Sequence, residues 1–273
     1  MSTIPPFTHL HLHTEYSLVD GIVRVKPLVK AVASAGMPAC AVTDQSNLFA
    51  LVKFYKAAEP AGLKPIAGAE ILVRNPEDAS QPYRLVLLVQ NHAGYLNLTR
   101  LVTRAYLEGQ GRHGPTIERG WLDAGAAAGL VALSGGRDGD VGRALLAGRE
   151  DEAARALDAW LRVFGDRYYL ELTRTGRPGE EDCIAGSLDL AVARGVPVVA
   201  TNDVRFLARE DFESHEARVC IHDGTLLADP SRPRRYSEQQ YLRSPGEMAE
   251  LFDDLPEALD NASELARRLN LEI

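Results

Sequence analysis

The sequence predicts an α/β protein, a closed βα barrel of seven strands. Three observations carry that expectation. Seven short apolar runs alternate with helical patterns, the rhythm of a largely parallel sheet. Two distant passages, Ala31–Asp44 and Ala191–Asp203, repeat one plan: helix, glycine stop, proline, buried strand, then Thr and Asp at the strand's end. Polar residues gather at the C-terminal ends of the runs, where barrels of this kind hold their chemistry.

Taken in order, the first apolar run is Phe7–His13. A helical pattern over Val25–Ala35 stops at Gly36-Met37-Pro38, and Ala39–Thr43 reads as a short buried strand. Asn47–Ala61 is helical, with Leu48, Leu51, Val52 and Tyr55 on one face. Pro65–Val73 and Leu85–Val89 are the third and fourth strands, and a helix spans about Gly94–Tyr106. Gly, Pro and Arg make Gln110–Gly120 a loop. Leu130–Ser134 is the fifth strand, followed by a glycine-rich turn and helical segments up to Phe164. Tyr168–Leu172, the helix Glu180–Arg194 and Pro197–Thr201 complete the barrel. From Asp211 the rhythm changes. Asp229–Arg235 reads as a basic, proline-marked linker, and two helices follow, Pro245–Phe252 and Leu255–Leu269. The domain reading is a barrel over residues 5–225, with 226–273 a linker and helices leading toward a further part of a longer chain.

Composition narrows the function classes. Apolar residues make up 45% and charged residues 25% of 273, the balance of a globular domain, and no apolar run is long enough to span a bilayer. With 30 basic against 38 acidic residues the net charge is −8, which disfavours non-specific DNA binding driven by phosphate neutralisation. Three scattered cysteines, Cys40, Cys183 and Cys220, fit neither a disulfide framework nor a cysteine zinc site. The expectation is a reduced, cytoplasmic protein with no membrane partner and no secretory signal.

The strongest local pattern is Thr8-His9-Leu10-His11-Leu12-His13. Alternation in a strand puts His9, His11 and His13 on one face, a spacing at which imidazoles can share a divalent metal. A run of structural histidines reads the same way in sequence. Carboxylates stand near other strand ends: Asp20, Asp44, Glu70 and Asp203. Two His and two carboxylates from different strands make a reasonable set for a hard or borderline ion. Asp44 is better read as a helix cap or turn residue, and Asp20-Gly21 reads equally as a plain turn. Glu70, between Ala69 and Ile71, needs a cation or hydrogen bonds if buried. Ser134–Gly139 could cradle a phosphate but lacks the P-loop pattern, and reads as a strand-to-helix turn. His92, His113, His215 and His222 sit among polar neighbours and are expected to be exposed.

The segments Phe7–Gly21, Ala41–Leu48, Val52–Tyr55, Lys64–Glu70, Gly94–Leu98, Ala132–Gly135, Ala200–Phe206 and Tyr236–Tyr241 together resemble the polymerase-and-histidinol-phosphatase (PHP) domain, in the version found at the N-terminus of bacterial replicative polymerase alpha subunits. The resemblance covers nearly the whole chain and implies a distorted seven-stranded βα barrel. Active members hold three metals in the barrel mouth. Carried over, the first site would use His11, His13, Glu70 and Asp203, all present, and Asp20 is an orphaned ligand of another site. The remaining ligand positions fall on Gln45, Arg84, Gly136 and Arg205, none of which suits a metal. The resemblance therefore implies a residual site holding none or one divalent metal (Zn, Mn or Mg), with no catalytic residue in this segment. It also implies a degenerate module that supports the polymerase and docks the proofreading exonuclease (epsilon) subunit, meeting DNA only through the intact polymerase. The alternative is an active metal-dependent phosphoesterase, a 3′–5′ exonuclease or pyrophosphatase. Arg84 and Arg205 are expected to take the place of lost metals, Arg205 beside Asp20 or Asp203 and Arg84 beside Glu70.

Overall fold

A computed structural model describes residues 7–111 and 114–273. The chain forms eight named strands: β1 Ala39–Val42, β2 Lys64–Val73, β3 Tyr83–Val89, β4 Gln110–Gly111, β5 Gly114–Ile117, β6 Leu130–Leu133, β7 Tyr168–Thr173 and β8 Val198–Thr201. They make one mixed sheet in the order β4-β5-β2-β3-β6-β7-β8, with β1 beside β2. The run Phe7–His13, expected as the first strand, is extended but pairs only through bridges. Its backbone bonds Val204 on one side, and Ala41 and Thr43 on the other. That segment closes the ring between the continuation of β8 and β1. The ring then has the seven expected staves: this segment, β1, β2, β3, β6, β7 and β8.

Two features differ from the sequence reading. The sheet is not wholly parallel, because β3 runs antiparallel to both β2 and β6. Residues 74–82 are too few for a crossover, which takes about a dozen or more residues, so β2 and β3 join as a hairpin. The supposed loop at Gln110–Gly120 contains the small hairpin β4–β5, whose second strand pairs with the C-terminal end of β2.

Nine helices surround the ring among the described residues, among them α1 Val25–Ser34, α2 Leu51–Ala58, α3 His92–Glu108, α4 Asp140–Leu146, α5 Glu150–Phe164 and α6 Glu180–Arg194. On α2 the inward face is Leu51, Phe54 and Ala58, while Val52, expected inside, is 54% exposed. Helix α7, Phe212–Asp223, is followed by α8, Pro245–Leu251, and α9, Pro256–Arg268. The last two pack into the barrel's own core: Met248, Phe252, Leu259 and Leu265 share one cluster with Ile66, Val86, Leu88, Val131 and Val199. Asn261 adds a hydrogen bond from its Nδ2 to Val198 O. Truncating the fully buried Met248 to alanine is expected to cost about 2 kcal/mol, as core Met→Ala changes do. Urea unfolding would measure it, and a loss below about 0.5 kcal/mol would mean that α8 is not part of the barrel core.

Strand alternation turns Glu70 on β2, Arg84 on β3, and Glu171 and Thr173 on β7 toward one end of the ring. Since β3 is reversed, its first residues reach the mouth formed by the last residues of the parallel strands. The register Leu72↔Arg84 and Glu70↔Val86 makes Glu70 and Arg84 diagonal neighbours on the inner face.

Candidate metal centre

His11, His13 and Glu70 converge at the mouth, with donor atoms all within 4.8 Å of one another. All three are buried. The Nε2 atom of His11 lies 3.1 Å from Glu70 Oε2 and 3.4 Å from Asp203 Oδ1. His13 Nε2 lies 3.7 Å from the same Glu70 oxygen, and its Nδ1 sits 2.8 Å from Asp20 Oδ1 and against Arg205 Nη1. His9 does not join them: its Nε2 donates to the carbonyl of Arg243 at 2.8 Å, and burial pushes its imidazole down to about 4. It works as a neutral tether for the chain leading into α8.

Asp20 enters through a folded-back turn. Asp44 accepts hydrogen bonds from Thr14 N, Thr14 Oγ1 and Ser17 Oγ, which pins residues 14–17. A Cβ at Gly21 would stand 1.8 Å from Thr14 O, so only glycine allows the closure. Asp44 is thus a buried turn residue, and Asp20 is no plain turn residue but a mouth carboxylate. Asp203 holds a backbone φ of 45°, a left-handed strain that non-glycine residues keep only where the surroundings fix it.

Two arginines lie among these acids. Arg205 is fully buried; its Nη1 donates to Asp20 Oδ2 at 2.7 Å, and its Nη2 pairs with Asp203 Oδ1 and lies 3.5 Å from Glu70 Oε2. Arg84 Nη1 is 3.3 Å from Glu70 Oε2. Burial alone would raise each carboxyl. The Arg205 guanidinium holds Asp20 well below the carboxylate range, and Arg84, with both histidines, brings Glu70 down to about 2. Burial likewise pushes His11 down, but the carboxylates of Glu171 and Asp203 outweigh it and raise the imidazole to about 10.

The other two ligand positions implied by the resemblance offer nothing to an ion. Gln45 bridges the backbone of Glu70, and its N–H donates to Ser17 Oγ. Gly136 has φ 54°, with only ordinary contacts to Thr173 where a Cβ would stand.

Several mouth residues escape sequence reasoning. Glu171 accepts from His11 Nδ1 at 2.8 Å. Arg177 reaches Asp138 at 2.9 Å and Asp203 at 3.5 Å. Tyr236 donates its hydroxyl to Asp20 Oδ2, and Gln240 Nε2 donates to Asp203 Oδ2, both at 2.8 Å. His215, expected to be exposed, is fully buried; its Nε2 donates to the Asp20 carbonyl, and its ring meets Tyr236 edge-on at 4.8 Å. Apolar neighbours on both sides, Phe206 and Phe212, cover it. His92 and His222 are exposed as expected, and His113 lies outside the described residues. Ser134–Gly139 is a strand-to-helix turn: Ser134 Oγ accepts from Glu171 N, and Asp140, which opens α4, is engaged by Trp160 Nε1 at 2.9 Å.

A family model for the PHP domain matches residues 9–175. The chain belongs to the PHP domain family. DNA polymerase III subunit alpha of Pseudomonas aeruginosa is 55% identical over 267 residues, and that of Escherichia coli K12 is 51% identical over 269. Each match covers 98% of this chain and 23% of the relative, so this PHP domain spans about a quarter of the length of those relatives. Among solved structures, a metal-dependent phosphoesterase from Bifidobacterium adolescentis aligns at a TM-score of 0.52 with 16% identity, over 72% of this chain and 87% of that one. An amidohydrolase from Chromobacterium violaceum aligns at 0.51 with 16% identity, over 77% and 96%. These two share the barrel-like fold. Among the described residues no helix is long and apolar enough to cross a membrane.

Arg84 is the more accessible of the two arginines, its side chain 19% exposed against 0% for Arg205. Arg84→Ala is therefore expected to cost about 1–2 kcal/mol, less than an uncompensated fully buried pair. A divalent metal should restore part of the loss. Equal melting temperatures for wild type and variant, with and without metal, would refute a neutralising role.

Proposed function

We propose that this chain is the N-terminal PHP domain of a bacterial replicative polymerase alpha subunit, and that the domain is a non-catalytic module. Its parent would extend DNA on a template; the domain would brace the polymerase and dock the proofreading exonuclease (epsilon) subunit. The observation that carries the non-catalytic reading is Arg205, a permanent cation buried between Asp20, Asp203 and Glu70. A guanidinium neutralises those acids but offers no vacant position to a water or phosphoryl oxygen. Phosphoester hydrolysis by paired ions needs both the attacking and leaving oxygens held, and the acids that would share a second ion are already bound to arginine.

A second reading is favoured by one detail. His13 Nε2 and Glu70 Oε1 are buried without a hydrogen-bond partner, and both residues belong to the cluster that could hold an ion. The donor set of two imidazoles and carboxylates suits Zn, Mn or Mg. His11, His13, Glu70 and Asp203 would hold one such ion, which would supply Lewis-acid polarisation of a phosphoryl oxygen. The nearby positive charge of Arg205 opposes its binding. As a working exonuclease or pyrophosphatase, the domain would hydrolyse phosphodiester or phosphoanhydride bonds in proportion to bound metal.

Elemental analysis joined to a hydrolysis assay separates the two. The expected result is zero or one metal per chain and no release of nucleotide or phosphate from a 3′-labelled oligonucleotide. Metal-dependent release abolished by His13→Ala would establish the enzyme instead. Calorimetric titration with the exonuclease subunit is expected to give saturable heat, and none with duplex DNA at physiological salt. The opposite pattern would overturn the docking role.

A further inference from the structure

We propose that Glu171 is a positioning residue for the candidate metal centre: its carboxylate fixes the His11 ring so that Nε2, not Nδ1, faces Glu70 and Asp203. The proposal rests on the reading of His11 as a member of that centre.

Glu171 points inward from β7 and is 2% exposed. Three neighbouring elements hold it. Its Oε1 accepts from His11 Nδ1 at 2.8 Å and from Thr201 Oγ1, at the end of β8, at 2.6 Å. Its backbone N–H donates to Ser134 Oγ, just past β6, at 2.9 Å. Thr201 therefore anchors the carboxylate, and Ser134 its backbone, before it meets the imidazole. Its role differs from that of the other mouth acids. Asp20, Glu70 and Asp203 each pair with an arginine, whereas the ion-pair partner of Glu171 among the described residues is His11. Glu171 is not there to neutralise a guanidinium.

The consequence is geometric. With Nδ1–H pinned, Nε2 lies 3.1 Å from Glu70 Oε2 and 3.4 Å from Asp203 Oδ1. Turning the ring over would put carbon atoms at both places, leaving buried carboxylate oxygens without a partner on that side. A ligating imidazole whose remote N–H is held by a carboxylate is pre-oriented, and loss of such a partner typically weakens metal affinity about 10–100-fold. Thr201 extends the chain one residue further by fixing the carboxylate that fixes the ring.

The test uses the 273-residue chain with 15N-labelled histidine. Wild type should show a downfield, slowly exchanging His11 Nδ1–H resonance. Glu171→Gln should keep it, because the amide oxygen still accepts. Glu171→Leu, similar in size but without an acceptor, should lose it. Zinc titration should then give wild type and Glu171→Gln affinities within a few-fold of each other, and Glu171→Leu about 10–100-fold weaker. A Glu171→Leu protein with an unchanged Nδ1–H signal would overturn the proposal, and so would loss of the signal in Glu171→Gln. If Glu171→Leu fails to fold, Thr201→Val takes its place: a signal kept in Glu171→Gln but broadened by exchange in Thr201→Val supports the proposal, and no change in either overturns it. A wild type that takes up no zinc would refute the metal reading alone, since the Nδ1–H signal still decides the orientation.

Discussion

Arg205→Ala is expected to destabilise the domain by about 3–5 kcal/mol, the cost of leaving a buried charge uncompensated. The side chain is 0% exposed and touches three acids at once, Asp20, Asp203 and Glu70. It also lies over the Tyr236 ring, 5.8 Å from its centroid. Alanine would leave those carboxylates facing one another around a cavity. The acids would respond by taking up protons, so the loss should be larger at pH 8 than at pH 5. For a domain of this size each kcal/mol moves Tm by about 2–4 °C, which makes the expected drop roughly 10 °C. Arg205→Lys keeps the charge but cannot bridge two carboxylates in a fork, and should recover only part of the loss. Zinc or manganese should raise the Tm of Arg205→Ala more than that of wild type, since the vacated space is lined by Asp20, Glu70, Asp203 and His13. Thermal melts with and without metal measure all of this. A loss under about 1 kcal/mol would place Arg205 among ordinary surface pairs.

The barrel was legible because its signals are local. Each buried run is bounded by glycine or proline, and the repeated helix–strand–Thr–Asp plan marks Asp44 and Asp203 without any long-range information. What the reading of the runs themselves did not supply is direction and closure; the short link over residues 74–82 was the one signal of a reversal, and it went unused. Nothing in Leu85–Val89 says that β3 runs backwards, yet that reversal is what brings Arg84 to the mouth. The resemblance placed Arg84 and Arg205 at lost ligand positions, and the expectation that they sit beside acids came from charge balance. Glu171 was overlooked although it obeys the rule applied to Glu70: an acid inside an apolar strand needs a partner. His215 misled because its neighbours are polar; Glu216, the nearest, is itself buried and paired with Arg232. Arg177, Tyr236 and Gln240 come from irregular segments with no period to betray which way they point. Tyr236 and Gln240 seal the mouth from a stretch that reads as the approach to a separate part of the chain.

Stability should peak near pH 6 and fall on both sides, each limb following from a different histidine or acid. Glu70 goes from an ordinary 4.5 down to about 2 in the fold. A depressed carboxyl contributes its stability above the unfolded value and loses it as pH falls through the folded one. Glu70 alone should therefore remove about 3 kcal/mol between pH 4.5 and 2, and Asp20 and Asp203 shift in the same direction. His9 begins the acid limb earlier. Burial lowers it from 6.5 to about 4, so the unfolded chain takes up a proton in that window and the fold does not. His11 works oppositely. It is raised from 6.5 to about 10, so its contribution is complete below pH 6.5 and drains away as pH climbs toward 10. The alkaline limb should be visible from pH 6.5, about two units below the point at which unfolded thiols are half ionised and add to it. Because His11 and Glu70 share one ion pair, the two limbs are not additive and either substitution should alter both. Urea unfolding at half-unit steps from pH 3 to 8.5 gives the curve. His11→Gln should flatten the fall above pH 6.5, and His9→Asn should flatten the segment between 6.5 and 4. A wild type equally stable at pH 6 and 8.5 would show that the fold does not raise the His11 imidazole above its ordinary value. The lattice of carboxylates and guanidinium groups would then have to balance without it.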